Sequence, residues 1–147
     1  MSDHPLVLDG SSGEGGGQIL RTALALSAVT GRAFDLRRIR ERREKPGLRP
    51  QHVAAARALA SLVDAELDGA EVGSFTLRFA PRARPTPGTH VFDVGTAGST
   101  PLLLQTLCWP LAVAGGPSTV TLLGGTHQDH APSFHYLALV WAPAIAR

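Results

Sequence analysis

Glu14 stands inside a glycine- and serine-rich stretch, GSSGEGGGQ (residues 10–18), and Arg21 follows seven positions later. A glycine-rich loop between a strand and a helix gathers backbone N–H groups and attracts an anion. A carboxylate in that loop repels the same anion unless a divalent cation lies between them. Seven residues are about two helical turns, so Arg21 shares a face with Glu14 if the helix starts early. Carboxylate, N–H nest and guanidinium together suit a metal-bound polyphosphate. This is neither a Walker A loop nor G-x-G-x-x-G, because no Lys-Ser/Thr follows it. A flexible loop that uses glycine only for positive φ is the plain alternative. The strand-to-helix position and the two charges weigh against it.

A second constellation is DLRRIRERREKPGLRPQH, residues 35–52. Here Arg37, Arg38, Arg40, Arg42, Arg43, Lys45 and Arg49 outnumber Asp35, Glu41 and Glu44. Such a run is ordinarily a solvated face. KPGLRPQH, however, is short, stiffened by proline and ends where a helix starts. That puts Gln51 and His52 at a helix N-terminus beside the arginines, a phosphate or RNA-backbone site. Arginine is the better bidentate phosphate clamp, although a GC-rich genome also favours it.

A third is THQDHAPSFH (residues 126–135), which holds three of the six histidines around Asp129. A metal site is conceivable there. With no C-x-x-C or H-E-x-x-H beside them, structural or solvent-facing histidines are the stronger reading.

These residues need a scaffold, and the composition allows one. The chain has 147 residues, 44% hydrophobic and 18% charged, enough for a real core. The net charge of +2 is too small by itself to indicate nucleic acid. One cysteine, Cys108, excludes a disulfide framework and fits a cytoplasmic location. The longest apolar run, PLLLQTLCWPLAVAGG, is broken by Gln105, Thr106 and Pro110 and is too short to span a bilayer, so no membrane partner is expected.

PLVLDG reads as a strand and GQILRTALALSAVTG as a helix stopped by Gly31. AFDLRRIR (residues 33–40) reads as a strand and PQHVAAARALASLVDA as a second helix begun by Pro50. AELDGAEVGSFTLRFAP supplies two more strands, and PRARPTPG a linker. The pattern then restarts, with Gly10 over Gly95 and Gly13 over Gly98, a period of roughly 85 residues. The fold expected is α+β: a β-α-β-α-β-β unit over residues 1–84, and a second over 85–147 lacking its last two strands. That reading makes the chain a fragment or truncated product. Its open sheet edge and uncovered apolar face predict self-association, for example a homodimer.

The blocks LDGSSGEGGGQILRTALALSAVTG, REKPGLRPQHVAAARAL, GTAGSTPLLLQTLCWPL and GGTHQDHAPSFHYL resemble, in order and spacing, successive blocks of the RNA 3'-terminal phosphate cyclase family. The resemblance covers the whole chain. It implies β-α-β-α-β-β units, each a four-stranded sheet backed by two helices. It also implies ATP-dependent conversion of RNA 3'-phosphate ends to 2',3'-cyclic phosphates through an adenylylated histidine and an RNA–AMP intermediate. Joining AMP to a phosphate monoester supplies the good leaving group that the dianion lacks. By resemblance Glu14 holds Mg2+ or Mn2+ on the triphosphate. Arg21, Arg40, Arg43 and Gln51 clamp phosphates of ATP or of the RNA end. Gln105 contacts the nucleotide, and Pro132 in HAPSF walls the adenine pocket.

Two departures stand out. The family's nucleophilic histidine lies in a later unit, and none of the histidines here matches its motif. The family commonly has Asp before an aromatic where this chain has His135 and Tyr136. The resemblance therefore implies the N-terminal part of a cyclase with no catalytic residue of its own, inactive alone. The alternative is a non-catalytic relative, an RNA-end-binding or ribosome-assembly module. An enolpyruvyl-transferase-like enzyme is a weaker alternative, because that group's motifs are absent.

Overall fold

The computed structural model describes residues 4–95 and 98–146. The chain is α+β. The first elements are β1 (Leu6–Asp9), α1 (Gly17–Thr30), β2 (Phe34–Arg37), α2 (Pro50–Val63), β3 (Glu66–Asp68) and β4 (Leu77–Ala80). The four strands form one sheet in the order β1-β2-β4-β3. β1 and β2 are parallel, which requires a crossover, and α1 is that crossover. β4 runs antiparallel to both β2 and β3.

Alternation along the central strands puts Phe34, Leu36, Leu77 and Phe79 on one buried face. Phe34 and Phe79 are register partners, and their rings stack at 5.8 Å. Leu20 and Leu24 of α1 and Leu59 and Leu62 of α2 belong to the same core. Their spacing of three or four residues makes one apolar stripe on each helix.

The second stretch repeats the first three steps with β5 (Gly88–Asp93), α3 (Thr100–Ala112) and β6 (Ser118–Leu123). β5 and β6 pair in parallel over six residues. α3 packs on α1 and, less extensively, on α2. The chain then runs through helical turns, α4 (Phe134–Tyr136), a π-helical stretch Leu137–Trp141 and α5 (Ala142–Ile145). Among the described residues no helix is long and apolar enough to cross a membrane.

Helix ends follow local chemistry. Gly31, at φ 72°, ends α1 by donating its N–H to Ser27 O. Ser99 caps α3 by accepting the Leu102 N–H at 3.2 Å. Ser99→Ala should therefore lower unfolding stability by about 1 kcal/mol. A urea midpoint unchanged by the substitution would show that this cap contributes nothing.

The strand expected over residues 33–40 stops at Arg37. Arg38 and Arg40 both turn into the left-handed region, at φ 53° and 54°. Gly10 N–H meets Arg37 O at 2.7 Å and Ile39 N–H meets Phe75 O at 3.0 Å, so the backbone is tied on both sides of the turn. Alternating residue types carry no sign of such a turn, because it is made by partners far away in sequence.

Candidate functional site

The glycine-rich loop is held from its base. Asp9, the last residue of β1, accepts the Ser11 N–H at 2.9 Å and the Ser11 hydroxyl at 2.8 Å, and also pairs with Arg38. The Ser11 bonds, backbone first, depress the Asp9 pKa below the usual carboxylate range, with Arg38 adding to it. Gly13 and Gly15 then take φ near +58° and +59°, which a side chain would resist. The loop delivers the chain to Gly17, where α1 begins with no side-chain cap on its first turn. Those first N–H groups border a cleft of about 670 Å³.

Helix α1 brings Gln18 and Arg21 to the cleft, and the left-handed turn after β2 brings Arg40 and Arg43. The start of α2 brings Gln51 and His52, and the loop itself brings Glu14. The five residues that the resemblance assigns to metal and phosphate thus share one cleft: Glu14, Arg21, Arg40, Arg43 and Gln51. The reason differs from the helical spacing expected. Glu14 lies in the turn before α1, not on the helix. It reaches the cleft because the loop folds back, and its carboxylate faces Arg43 Nη2 at 3.5 Å. Gln105 lies next door. It lines a hollow between α1 and α3 with Trp109, and Gln18, Arg21 and Leu102 border both spaces. Pro132 is half-buried just beyond Ala131, which is on the cleft wall.

The cleft concentrates positive charge. Burial, and after it the neighbouring Arg40, lower the pKa of Arg21. Burial, then Arg43 and Arg49, do the same to Arg40. Arg40 spends one N–H on Lys45 O at 3.1 Å, while its buried Nε has no hydrogen-bond partner among the described residues. Crowded, desolvated guanidinium groups repel each other, and an orphaned donor is costly, so a bound anion relieves both. Gln51 Oε1 accepts the Ser99 N–H at 3.5 Å, tying α2 to the cap of α3 and leaving its NH2 as a donor.

His52, expected beside the arginines at the start of α2, is more deeply buried than its sequence position suggests. It is 2% exposed, and its Nδ1 accepts the Arg49 N–H at 3.0 Å. Burial first, then Arg40, Arg21 and Arg49, push its pKa down to about 3. The ring is therefore neutral, and the Nδ1 bond leaves its proton on Nε2, which lies against Gly17 at the cleft wall. Its place beside the arginines was a visible signal; its burial was not. Gln128, Asp129 and His130 also border the cleft from the loop after β6. Residue spacing does not place that loop there; only the resemblance of HAPSF to a nucleotide-pocket segment points to it.

Gly17 is glycine for steric reasons. A Cβ there would collide with His52 Nε2 and fall 2.9 Å from Arg21 Nη1. Gly→Ala inside a helix is ordinarily stabilising. Gly17→Ala should instead destabilise by roughly 1–2 kcal/mol, the overpacking cost outweighing the propensity gain. Chemical denaturation that showed the variant to be more stable would contradict the packing of His52 on Gly17.

The α+β scaffold thus sets desolvated arginines, a neutral histidine and an exposed carboxylate around the first N–H groups of a helix, an arrangement whose charge and donors suit an anion. A family model described as RNA 3'-terminal phosphate cyclase matches residues 12–147. The RNA 3'-terminal phosphate cyclase of Methylococcus capsulatus is 52% identical over 148 residues, covering 97% of this chain and 41% of that protein. The cyclase of Koribacter versatilis is 55% identical over 140 residues, covering 95% of this chain and 39% of that protein. The chain belongs to the RNA 3'-terminal phosphate cyclase family. It spans about two fifths of the length of these relatives.

Proposed function

We propose that the chain supplies the triphosphate, metal and nucleotide contacts of an ATP-dependent RNA 3'-terminal phosphate cyclase acting on RNA 3'-phosphate ends. The observation that carries this reading is the convergence of Arg21, Arg40, Arg43, Gln51 and His52 on one cleft, with a buried Arg40 Nε that has no hydrogen-bond partner among the described residues. Arg21 and Arg40 balance phosphate charge, and His52 Nε2–H and the first N–H groups of α1 donate hydrogen bonds to phosphate oxygens. Gln105 and the segment at Pro132 take the rest of the nucleotide.

Glu14 fits a hard cation. Its side chain is 94% exposed, and its ion pair with Arg43 is a long 3.5 Å. Among the described residues no three metal-ligating side chains come together. A single carboxylate holds Mg2+ or Mn2+ well only when the substrate's phosphates complete the shell. The cation, when bound, supplies charge neutralisation on the triphosphate.

The test is nucleotide binding and self-labelling. The chain should bind ATP more tightly with Mg2+ than without it, and should form no covalent AMP adduct. RNA binding with no ATP binding would replace this reading with that of a non-catalytic RNA module. A radiolabelled adduct lost on substitution of any histidine here would place the nucleophile in this chain.

A further inference from the structure

We propose that His127 and His135 form a two-histidine site for a borderline transition-metal ion of the Zn2+, Ni2+ or Cu2+ class. His127 Nε2 and His135 Nδ1 face each other at 3.1 Å, with the rings tilted by 54°. Both side chains are exposed. Two imidazole nitrogens at about 2.05 Å from one metal are about 2.9 Å apart at a right angle and about 3.3 Å apart at the tetrahedral angle. The observed separation lies between these, so the pair has the spacing of a chelate, and a turn of the exposed rings that swings both lone pairs off the line joining them would aim them at one metal.

The backbone holds that bite in place. Phe134 N–H donates to Thr126 O at 3.0 Å, joining the residues next to the two histidines. Ser133 Oγ caps the turn that carries His135 by accepting the Tyr136 N–H at 3.2 Å. Thr126 Oγ1 lies 3.0 Å from His127 Nδ1, the outer contact that orients a ligating imidazole. Without metal, one N–H lies between the rings. The metal takes its place, and that proton moves to the remote nitrogen of the same ring, with Thr126 Oγ1 as acceptor on the His127 side.

No third protein ligand joins them among the described residues, so water fills the remaining positions and the affinity is modest. Imidazole pairs select Cu2+, Ni2+ and Zn2+ over Mg2+, which prefers oxygen. The site is therefore separate in chemistry from the carboxylate at Glu14, and the inference does not rest on the proposed cyclase activity.

The experiment is calorimetric titration of the chain with Zn2+ alone and with Ni2+ alone, in buffer containing excess Mg2+. One equivalent should bind the parent and His4→Ala alike, and at least about tenfold more weakly to His127→Ala and to His135→Ala. Zn2+ should also raise the thermal midpoint of the parent and not of those two variants, a readout that does not depend on comparing variant folds. Binding unchanged in both variants, or no binding by the parent below millimolar Zn2+ and Ni2+, would overturn the proposal.

Discussion

Acidification from pH 6.5 toward pH 3 should cost the fold about 1.4 kcal/mol per pH unit through His52 alone, since its pKa falls from 6.5 to about 3. The sign follows from proton counting. Above pH 6.5 His52 is neutral in both the folded and the unfolded chain, so pH has no effect through it. Below 6.5 the unfolded chain takes up a proton that the folded chain refuses, because burial and three arginines oppose the imidazolium. The unfolded state is favoured more with each unit, until His52 titrates in the fold near pH 3. Across the window the loss is about 4–5 kcal/mol, a large part of a small domain's stability. His52→Asn keeps an acceptor for the Arg49 N–H and removes the titrating ring. Urea unfolding of both proteins from pH 7.5 to 4 should give a steeper decline for the parent. Asp9, whose pKa is depressed, loses stability in the same direction in both proteins, so the difference between them isolates His52. Parallel curves would mean that His52 is not held neutral by its surroundings.

Arg21→Ala should weaken ATP binding by roughly 1.5–3 kcal/mol, about 10- to 150-fold, with or without divalent metal. Arg21 is partly desolvated and carries one bond to Gln18 Oε1 at 3.1 Å, leaving donors for phosphate. Glu14→Ala should behave differently. If Glu14 only solvates the loop, removing its charge beside a polyphosphate leaves binding unchanged or improves it. If it holds the cation, the variant loses the advantage that Mg2+ confers, and the ratio of affinities with and without Mg2+ falls toward one. Calorimetry of the parent and both variants, each with Mg2+ and with chelator, separates these outcomes. A Glu14→Ala chain that binds Mg2+–ATP as well as the parent does would remove the metal role from this loop. Equal ATP affinity in Arg21→Ala would remove the phosphate role from α1.

The α+β architecture was legible because its causes are local. Leu20 and Leu24, or Leu59 and Leu62, recur at helical spacing. Gly31 and Pro50 mark helix boundaries by backbone chemistry that any chain shows. The alternation of Phe34 with Leu36 and of Leu77 with Phe79 declares a one-faced sheet. The residue types of the arginine-rich segment and the glycine loop marked both as candidates for one site, and both do border the same cleft. How they meet was decided by tertiary packing. Arg38 and Arg40 adopt left-handed backbone because Gly10 and Phe75 hold the turn between them, and neither neighbour is visible in the alternating pattern. Glu14 reaches Arg43 across 29 positions by loop folding rather than by helical periodicity. His52 becomes a neutral wall only when α2 lies against Gly17, since burial and converging guanidinium charge are properties of the packed chain. His127 and His135 read as solvent-facing histidines one by one, yet a turn tied at Thr126 and Phe134 sets their ring nitrogens face to face. Periodicity travels along the chain and can be read there. Desolvation and the meeting of charges depend on distances through space, which only the fold supplies.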